Sequence, residues 1–180
     1  MSDVREIILE RLQACVKTLA PGVVFTFPHG QTHRPIVTDL DGRVYSKVRA
    51  QGRVDATEMP YVEIITSAAT ADSVREIADE DIYLAETRVE LWGYVKAEDQ
   101  GDGLDSVVRP LLNELRADLI VAMEAFPYWT SADYPEALAR RIGPVTTVLQ
   151  SQWTEPATDA PDGFLVLDYA IRYTFDRRDP

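Results

Sequence analysis

The clearest pattern in the chain lies between Ile82 and Phe126, where one hydrophobic period gives way to another. From Tyr83 to Val95 the odd positions are mainly apolar or small, whereas the even positions Glu86, Arg88 and Glu90 are charged. This alternation is typical of a strand with one buried face.

A second pattern begins after the Asp- and Gly-rich segment 98–103. Apolar residues then recur every three or four positions, which predicts a long amphipathic helix. Its apolar face comprises Leu104, Val107, Val108, Leu111, Leu112, Leu115, Leu119, Met123 and Phe126.

The rest of the chain predicts further helices and strands. Helical spacing predicts a first helix over residues 3–19, and cap signals at Asp133 predict a short helix that ends near Gly143. The polar connection 66–81 predicts a loop with a helical turn at 73–77. Short apolar or alternating runs predict strands at 23–27, 61–66, 145–153 and 164–175.

Residues 43–53 alternate without a fully apolar face, which predicts a projecting arm or an edge strand. Together the elements predict one α+β domain over residues 1–180, with arms or loops at about 28–58 and 66–81. In this domain two main helices pack on one face of a mainly antiparallel sheet. A short helix accompanies them.

The net charge of −12 is unevenly distributed. Residues 28–53 contain five basic and two acidic residues, whereas residues 55–105 contain fourteen acidic and three basic residues. Because the overall field repels phosphates, nucleic acid is not an expected binding partner. The basic segment could contact an acidic neighbour, including another copy of this chain, or both segments could be ordinary solvated surface.

Candidate residues for chemistry are few. Cys15 falls on the apolar side of the first helix, and His29 and His33 lie in a Pro/Gly loop, where their spacing does not suit a metal. Acidic residues at 79–81, 99, 102 and 105 could hold Mg²⁺, but neighbouring acids in a loop usually diverge into solvent. We therefore expect no catalytic, cofactor or metal site, although a small metal-dependent nuclease or phosphatase is the alternative.

Trp92 and Tyr94 occupy the otherwise charged face of the strand at 82–96. Either a helix or loop of the same chain covers them, or they contribute to a subunit interface, where such aromatic residues are enriched. No apolar run approaches the roughly 18 residues needed to span a bilayer, so no membrane association is expected. The charged N-terminus does not resemble a signal peptide.

The order of these segments resembles the tail terminator proteins (tail completion or neck proteins) of long-tailed bacteriophages. The resemblance covers nearly the whole chain and is carried by the N-terminal amphipathic helix and four segments. These segments are MPYVEI at 59–64, TRVELWGYV at 87–95, LNELRADLIVAM at 112–123 and FLVLDYAIRYTF at 164–175.

This resemblance implies a non-enzymatic virion protein of the tail neck, assembled in the host cytoplasm as a hexameric ring. Such a ring caps the tail tube, ends tube polymerisation and joins the head connector, and DNA only passes through its lumen. Another neck component, such as a head-closure or tail-joining protein, is the alternative in the same class. The residues expected at the subunit or tube interface are Arg43, Lys47, Arg49, Arg53, Trp92 and Tyr94.

Overall fold

A computed structural model describes residues 4–27, 30–47, 59–66, 73–76, 82–96, 104–130, 145–156 and 162–176. The helices are α1 (Val4–Lys17) and α2 (Leu104–Ala125), and a 3-10 helix, Phe126–Tyr128, follows α2 directly. The strands are β1 (Val44–Lys47), β2 (Tyr61–Thr66), β3 (Ser73–Glu76), β4 (Ile82–Lys96), β5 (Thr146–Pro156) and β6 (Asp162–Asp176).

The six strands form one sheet, with β1, β2, β4, β6 and β5 side by side in that order. β4 pairs with β6 along its whole length, whereas its other edge is shared by β2 and β3. Among the described strand pairs, β1–β2 is parallel and the others are antiparallel. The predicted mainly antiparallel sheet is therefore confirmed.

The helices cover one face of this sheet, as the α+β prediction required. The odd positions of β4 from Ala85 to Val95 are buried, and they share one core with the apolar sides of α1 and α2. α2 passes close above Gly93 and Gly163, because Leu115 and Leu112 occupy the space that a side chain would need there. These two glycines allow the helix to approach the strands directly.

Asp118 of α2 holds the segment after Gly30 against the helix. Its buried carboxylate accepts hydrogen bonds from the guanidinium of Arg34 (2.6 Å) and from the backbone N–H groups of Val37 (3.1 Å) and Thr38 (2.7 Å). A buried carboxylate is costly unless it is paired and hydrogen-bonded in this way. Asp118 therefore fixes the path of the chain from the end of α1 to β1.

Arg11 of α1 binds the segment of chain that directly follows α2. Its guanidinium donates to the carbonyl oxygens of Phe126 (3.0 Å), Pro127 (3.2 Å) and Trp129 (2.6 Å) and lies 5.0 Å from the Phe126 ring centre. The last carbonyl groups of a helix lack intrahelical donors and carry partial negative charge, so a cation there is favourable. Burial lowers the pKa of Arg11 from its ordinary value.

Two local predictions are wrong. The predicted helical turn at 73–77 contains a strand at Ser73–Glu76, because β4 extends beyond the end of β2 and offers it a free edge at residues 83–86. The predicted strand at 23–27 makes only an isolated bridge between Thr26 and Thr32. The chain turns at Gly30, whose φ is 74°, and the two arms of this irregular hairpin bond to each other outside the sheet.

The other described elements follow the predictions. Both main helices form, and the strands predicted at 61–66, 82–96, 145–153 and 164–175 are present, the last two with longer bounds. Within the predicted arm at 43–53, β1 is a strand at one end of the sheet order. The short helix predicted after Asp133 and most of the segment 66–81 lie outside the described residues.

Candidate interaction surface

The sheet face opposite α1 and α2, here called the open face because neither described helix lies on it, has a charged half and an aromatic half. In the charged half, Glu86 of β4 accepts a hydrogen bond from Nε of Arg172 on β6 at 2.8 Å, and Arg88 lies 3.9 Å from the same carboxyl group. Both arginines are about half exposed, at 50% and 51%. Such exposed pairs contribute at most about 1 kcal/mol each, so this half is mainly solvated surface.

The aromatic half is produced by strand register. Tyr61, Tyr94 and Phe164 are direct neighbours across β2, β4 and β6. In the next row, Trp92 and Trp153 lie on either side of Val166 across β4, β6 and β5. Because side chains at paired positions lie on the same face, both rows lie on the open face.

Trp92, Trp153 and Phe164 form what we call the aromatic cluster. The rings of Trp92 and Phe164 are stacked, with centres 5.9 Å apart and an angle of 10° between their planes. Trp153 meets both rings edge-on, at 6.0 Å from Trp92 and 5.2 Å from Phe164. Each such aromatic contact contributes about 0.5–1.5 kcal/mol beyond the buried area. The cluster is therefore a rigid apolar surface.

Exposure within the aromatic half increases toward β5. Tyr61 is buried and stacks on Tyr94, with ring centres 4.5 Å apart. Trp92 and Phe164 are half-buried. Val166, which pairs with Trp92 across the strands, is buried, with only 3% of its surface exposed. Trp153 is 45% exposed. The accessible part of the aromatic half therefore lies at the β5 edge of the sheet.

Glu90 orients the Trp92 ring within the aromatic cluster. The indole Nε1–H donates to the Glu90 carboxylate at 2.8 Å, and the two residues are two positions apart on the same face of β4. A Trp ring satisfied in this way presents its apolar part to a neighbour while its one polar group is occupied. The hydrogen bond leaves the apolar part of the indole available to its aromatic neighbours.

The predicted interface residues have different positions in the structure. Trp92 and Tyr94 lie on the open face, and both described helices lie on the other face. Arg43 precedes β1 and donates to the carbonyl oxygens of Pro60 (2.9 Å) and Asp39 (3.2 Å). Lys47 ends β1. The role of all these residues at an interface stays a prediction.

Arg49 and Arg53 lie outside the described residues, as do His29 and the acidic residues 79–81, 99 and 102. Among the described residues, no group of three or more His, Cys, Asp or Glu side chains is arranged to hold a metal ion. Neither described helix is both long and apolar enough to cross a membrane.

The second histidine of the sequence contributes to a shallow groove of about 440 Å³. His33 Nε2 lies 3.0 Å from the Glu124 carboxylate, and the His33 ring packs edge-on against Phe27. Tyr128, which is 56% exposed, forms another part of the wall. The pair ties the loop after Gly30 to the end of α2.

Cys15 and Tyr169 are buried in the hydrophobic core, and both have raised pKa values. Burial raises the pKa of the Cys15 thiol to about 12, with a smaller opposing effect from Arg11. Burial and the nearby Glu124 charge raise the pKa of Tyr169 to about 12 as well. Both groups therefore stay protonated and neutral at ordinary pH, and the thiol is unsuited to act as a nucleophile.

Sequence reasoning did not identify Trp153 and Phe164 as neighbours of Trp92. Their even or odd position within a strand shows which face they occupy, but not which strands lie side by side. Phe164 and Val166 alternate with the apolar residues that face the helices, which was a usable signal. The position of Trp153 required the order β4, β6, β5.

Comparisons with known proteins complete this description. No protein-family model matches the chain, and no curated protein matches it. One solved structure to which it is similar is described as "Virion of native gene transfer agent (GTA) particle". The identity is 14%, the TM-score is 0.38, and the alignment covers 93% of this chain and 91% of the other. With that score and identity, the likeness assigns neither a family nor a function.

Proposed function

We propose that this chain is a structural virion protein of a phage-like particle, and more specifically a tail terminator. In this role six copies form a ring on the finished tail tube, stop its growth and provide the surface that joins the head connector. The chain acts through protein contacts and catalyses no reaction. The starting point is the resemblance of its segments to tail terminator proteins over nearly the whole length.

The observation that carries the proposal is the aromatic cluster on the open face. Trp92, Trp153 and Phe164 combine a rigid stacked arrangement with an exposed edge, and Trp153 is 45% exposed. Large aromatic residues that remain accessible at one site are typical anchors of protein interfaces. The charged half beside them would supply the polar rim of such an interface.

The charge distribution supports a ring in particular. A ring is closed by heterologous contacts, in which one surface of a subunit meets a different surface of the next. The sequence has a basic segment, 28–53, and an acidic segment, 55–105, which would supply charges of opposite sign to two such surfaces. An acidic lumen would also let DNA pass, because it offers no cations to the phosphates.

A tube-capping experiment tests the proposal. The purified chain is added to the tail tube protein of the same particle during polymerisation, and tube lengths and ends are recorded by negative-stain microscopy. We expect shorter tubes that carry a ring at one end. A Trp92→Ala/Trp153→Ala variant should lose the effect, whereas Val24→Ala, which changes an exposed apolar residue in the loop after α1, should keep it.

Two results would contradict the proposal. Tubes of unchanged length with bare ends would exclude a terminator. A chain that binds instead to the isolated head connector and leaves tubes unaffected would be a head-closure protein, the alternative within the same class.

A further inference from the structure

β5 is a long strand at the end of the sheet order, and one of its edges pairs with β6. Within the part of the chain that the structure describes, no backbone hydrogen bond reaches its other edge. Unpaired N–H and C=O groups in an extended row form a template for another strand. Among the described residues, this edge of the sheet is therefore unpaired, and it is called the open edge below.

The opposite end of the sheet order is closed at Val44 of β1. Since the Arg43 carbonyl accepts from the N–H of Val62 in β2, alternation directs the Val44 carbonyl away from β2. There it accepts a hydrogen bond from Nε2 of Gln13 in α1 at 2.9 Å. The Val44 N–H in turn donates to the Gly42 carbonyl at 2.8 Å. α1 thus blocks β1 where an added strand would begin to pair.

In the sequence of β5, the charged residue and the proline that usually protect an edge strand occur only at its end, as Glu155 and Pro156. From Thr146 to Thr154 it contains no charged residue and no proline, although 27% of the whole chain is charged. Three of its apolar side chains are exposed, namely Val148 (37%), Leu149 (38%) and Trp153 (45%). Edge strands that remain unpaired usually carry lysine, proline or inward charges, or are very short. A bulge between Leu149 and Ser151 is the one protective irregularity.

We infer that the open edge of β5 pairs with β5 of a second copy of this chain, antiparallel and about a two-fold axis perpendicular to the sheet. One such contact pairs the β5 edges of both copies. Pairing β5 of one copy with the blocked β1 edge of the other would leave one β5 edge unpaired. Two chains of charge −12 repel each other, and the uncharged stretch is where they can approach without placing like charges in direct contact. The backbone of the edge offers both N–H donors and C=O acceptors, so the edge is complementary to itself.

This contact goes beyond the proposed function, because a two-fold pair is not the head-to-tail contact that closes a ring. It would join the two sheets into one continuous sheet with all helices on the same side. It would also bring together the two aromatic clusters, whose Trp153 side chains lie on the paired strands.

The first test measures the molar mass of the purified full-length chain by sedimentation equilibrium. The wild-type chain should dimerise, and Val148→Lys/Gln152→Lys should raise the dimer dissociation constant at least about tenfold, since each copy then brings two added positive charges to the shared edge, where they repel those of the partner. Val24→Lys is the matched control, because Val24 is similarly exposed (42%) and is not part of β5. Circular dichroism verifies that each variant is folded.

A second test does not depend on weakening the protein. Ser151→Cys places a thiol near the middle of β5, and mild oxidation should give a disulfide-linked dimer. Val24→Cys should not give this product at the same concentration. The natural Cys15 is fully buried and does not interfere.

A monomer at every concentration, a dimer unaffected by the two lysines, or no cross-linking through Ser151→Cys would each overturn the inference. If the chain forms a ring that caps tubes while β5 stays unpaired, the β5 contact is wrong and the proposed function is supported. If β5 pairs between two copies but the chain never caps tubes, the β5 contact is supported and the proposed function is wrong.

Discussion

Replacing Gly163 by alanine tests how closely α2 lies against the sheet. A Cβ atom at this position would lie 2.6 Å from Cγ1 of Val108 and 2.8 Å from Cδ1 of Leu112. Favourable carbon contacts are about 3.5–4.0 Å, so both distances are short by roughly 1 Å. Val108 and Leu112 are 1% and 2% exposed and have little room to move.

We expect Gly163→Ala to lower the free energy of unfolding by about 1–2 kcal/mol. Overpacking in a core costs about 1–3 kcal/mol. Alanine also lowers the conformational entropy of the unfolded chain, which offsets roughly 0.4–1 kcal/mol of this loss. Urea denaturation followed by circular dichroism measures the difference. Gly93→Ala, whose Cβ would meet only Cδ2 of Leu115 below 3.0 Å, should cost less.

A double-mutant cycle separates this clash from other effects. Val108→Ala alone should cost about 2 kcal/mol through the cavity that it leaves. Combined with Gly163→Ala, it removes the nearest clashing atom, so the double variant should lose about 1 kcal/mol less than the sum of the single losses. A Gly163→Ala chain as stable as the wild type, with strict additivity in the cycle, would refute this placement of α2.

Three further predictions concern the buried polar groups and the basic segment. Asp118→Asn should lower the free energy of unfolding by about 2 kcal/mol in urea titrations, because an amide nitrogen then faces hydrogen-bond donors. A loss near zero would show that the carboxylate is not needed. Stability should fall as pH rises from about 9 to 12, because Cys15 and Tyr169 hold their protons more tightly in the folded chain, with pKa values raised from 9.0 and 10.0 to about 12. Tyr169→Phe should flatten the upper part of this pH profile, and an unchanged profile would contradict the assignment. Arg49→Glu and high salt should both weaken ring assembly measured by light scattering, and indifference to both would exclude an electrostatic contact.

The main elements of the fold were predictable because their patterns are long. β4 alternates over fifteen residues, and α2 keeps one apolar face over twenty-two, so burial of one face dominates local preference in both. In contrast, Ser73–Glu76 is only four residues long, and its state depends on the free edge of β4 that no local pattern reveals. Propensity is a weak guide where pairing with a distant strand decides the outcome.

The candidate surface was predictable only in part. Trp92 and Tyr94 were identifiable because aromatic residues stood on the charged side of an alternating strand. The aromatic cluster needs Trp153, which is sixty-one positions from Trp92 and joins it only because β6 lies between β4 and β5. The roles of Arg11 and Asp118 also depend on contacts more than eighty positions apart, with Trp129 and Arg34 respectively. Such contacts are set by tertiary structure and leave no periodic trace.

The most direct test of a tail terminator role is the tail length of particles assembled without this chain. Deletion of its coding sequence should give tails of variable, excessive length that lack heads, as seen by electron microscopy. Expression of the wild-type chain in trans should restore uniform tails joined to heads. Tails of normal length attached to heads in the deletion strain would contradict the account.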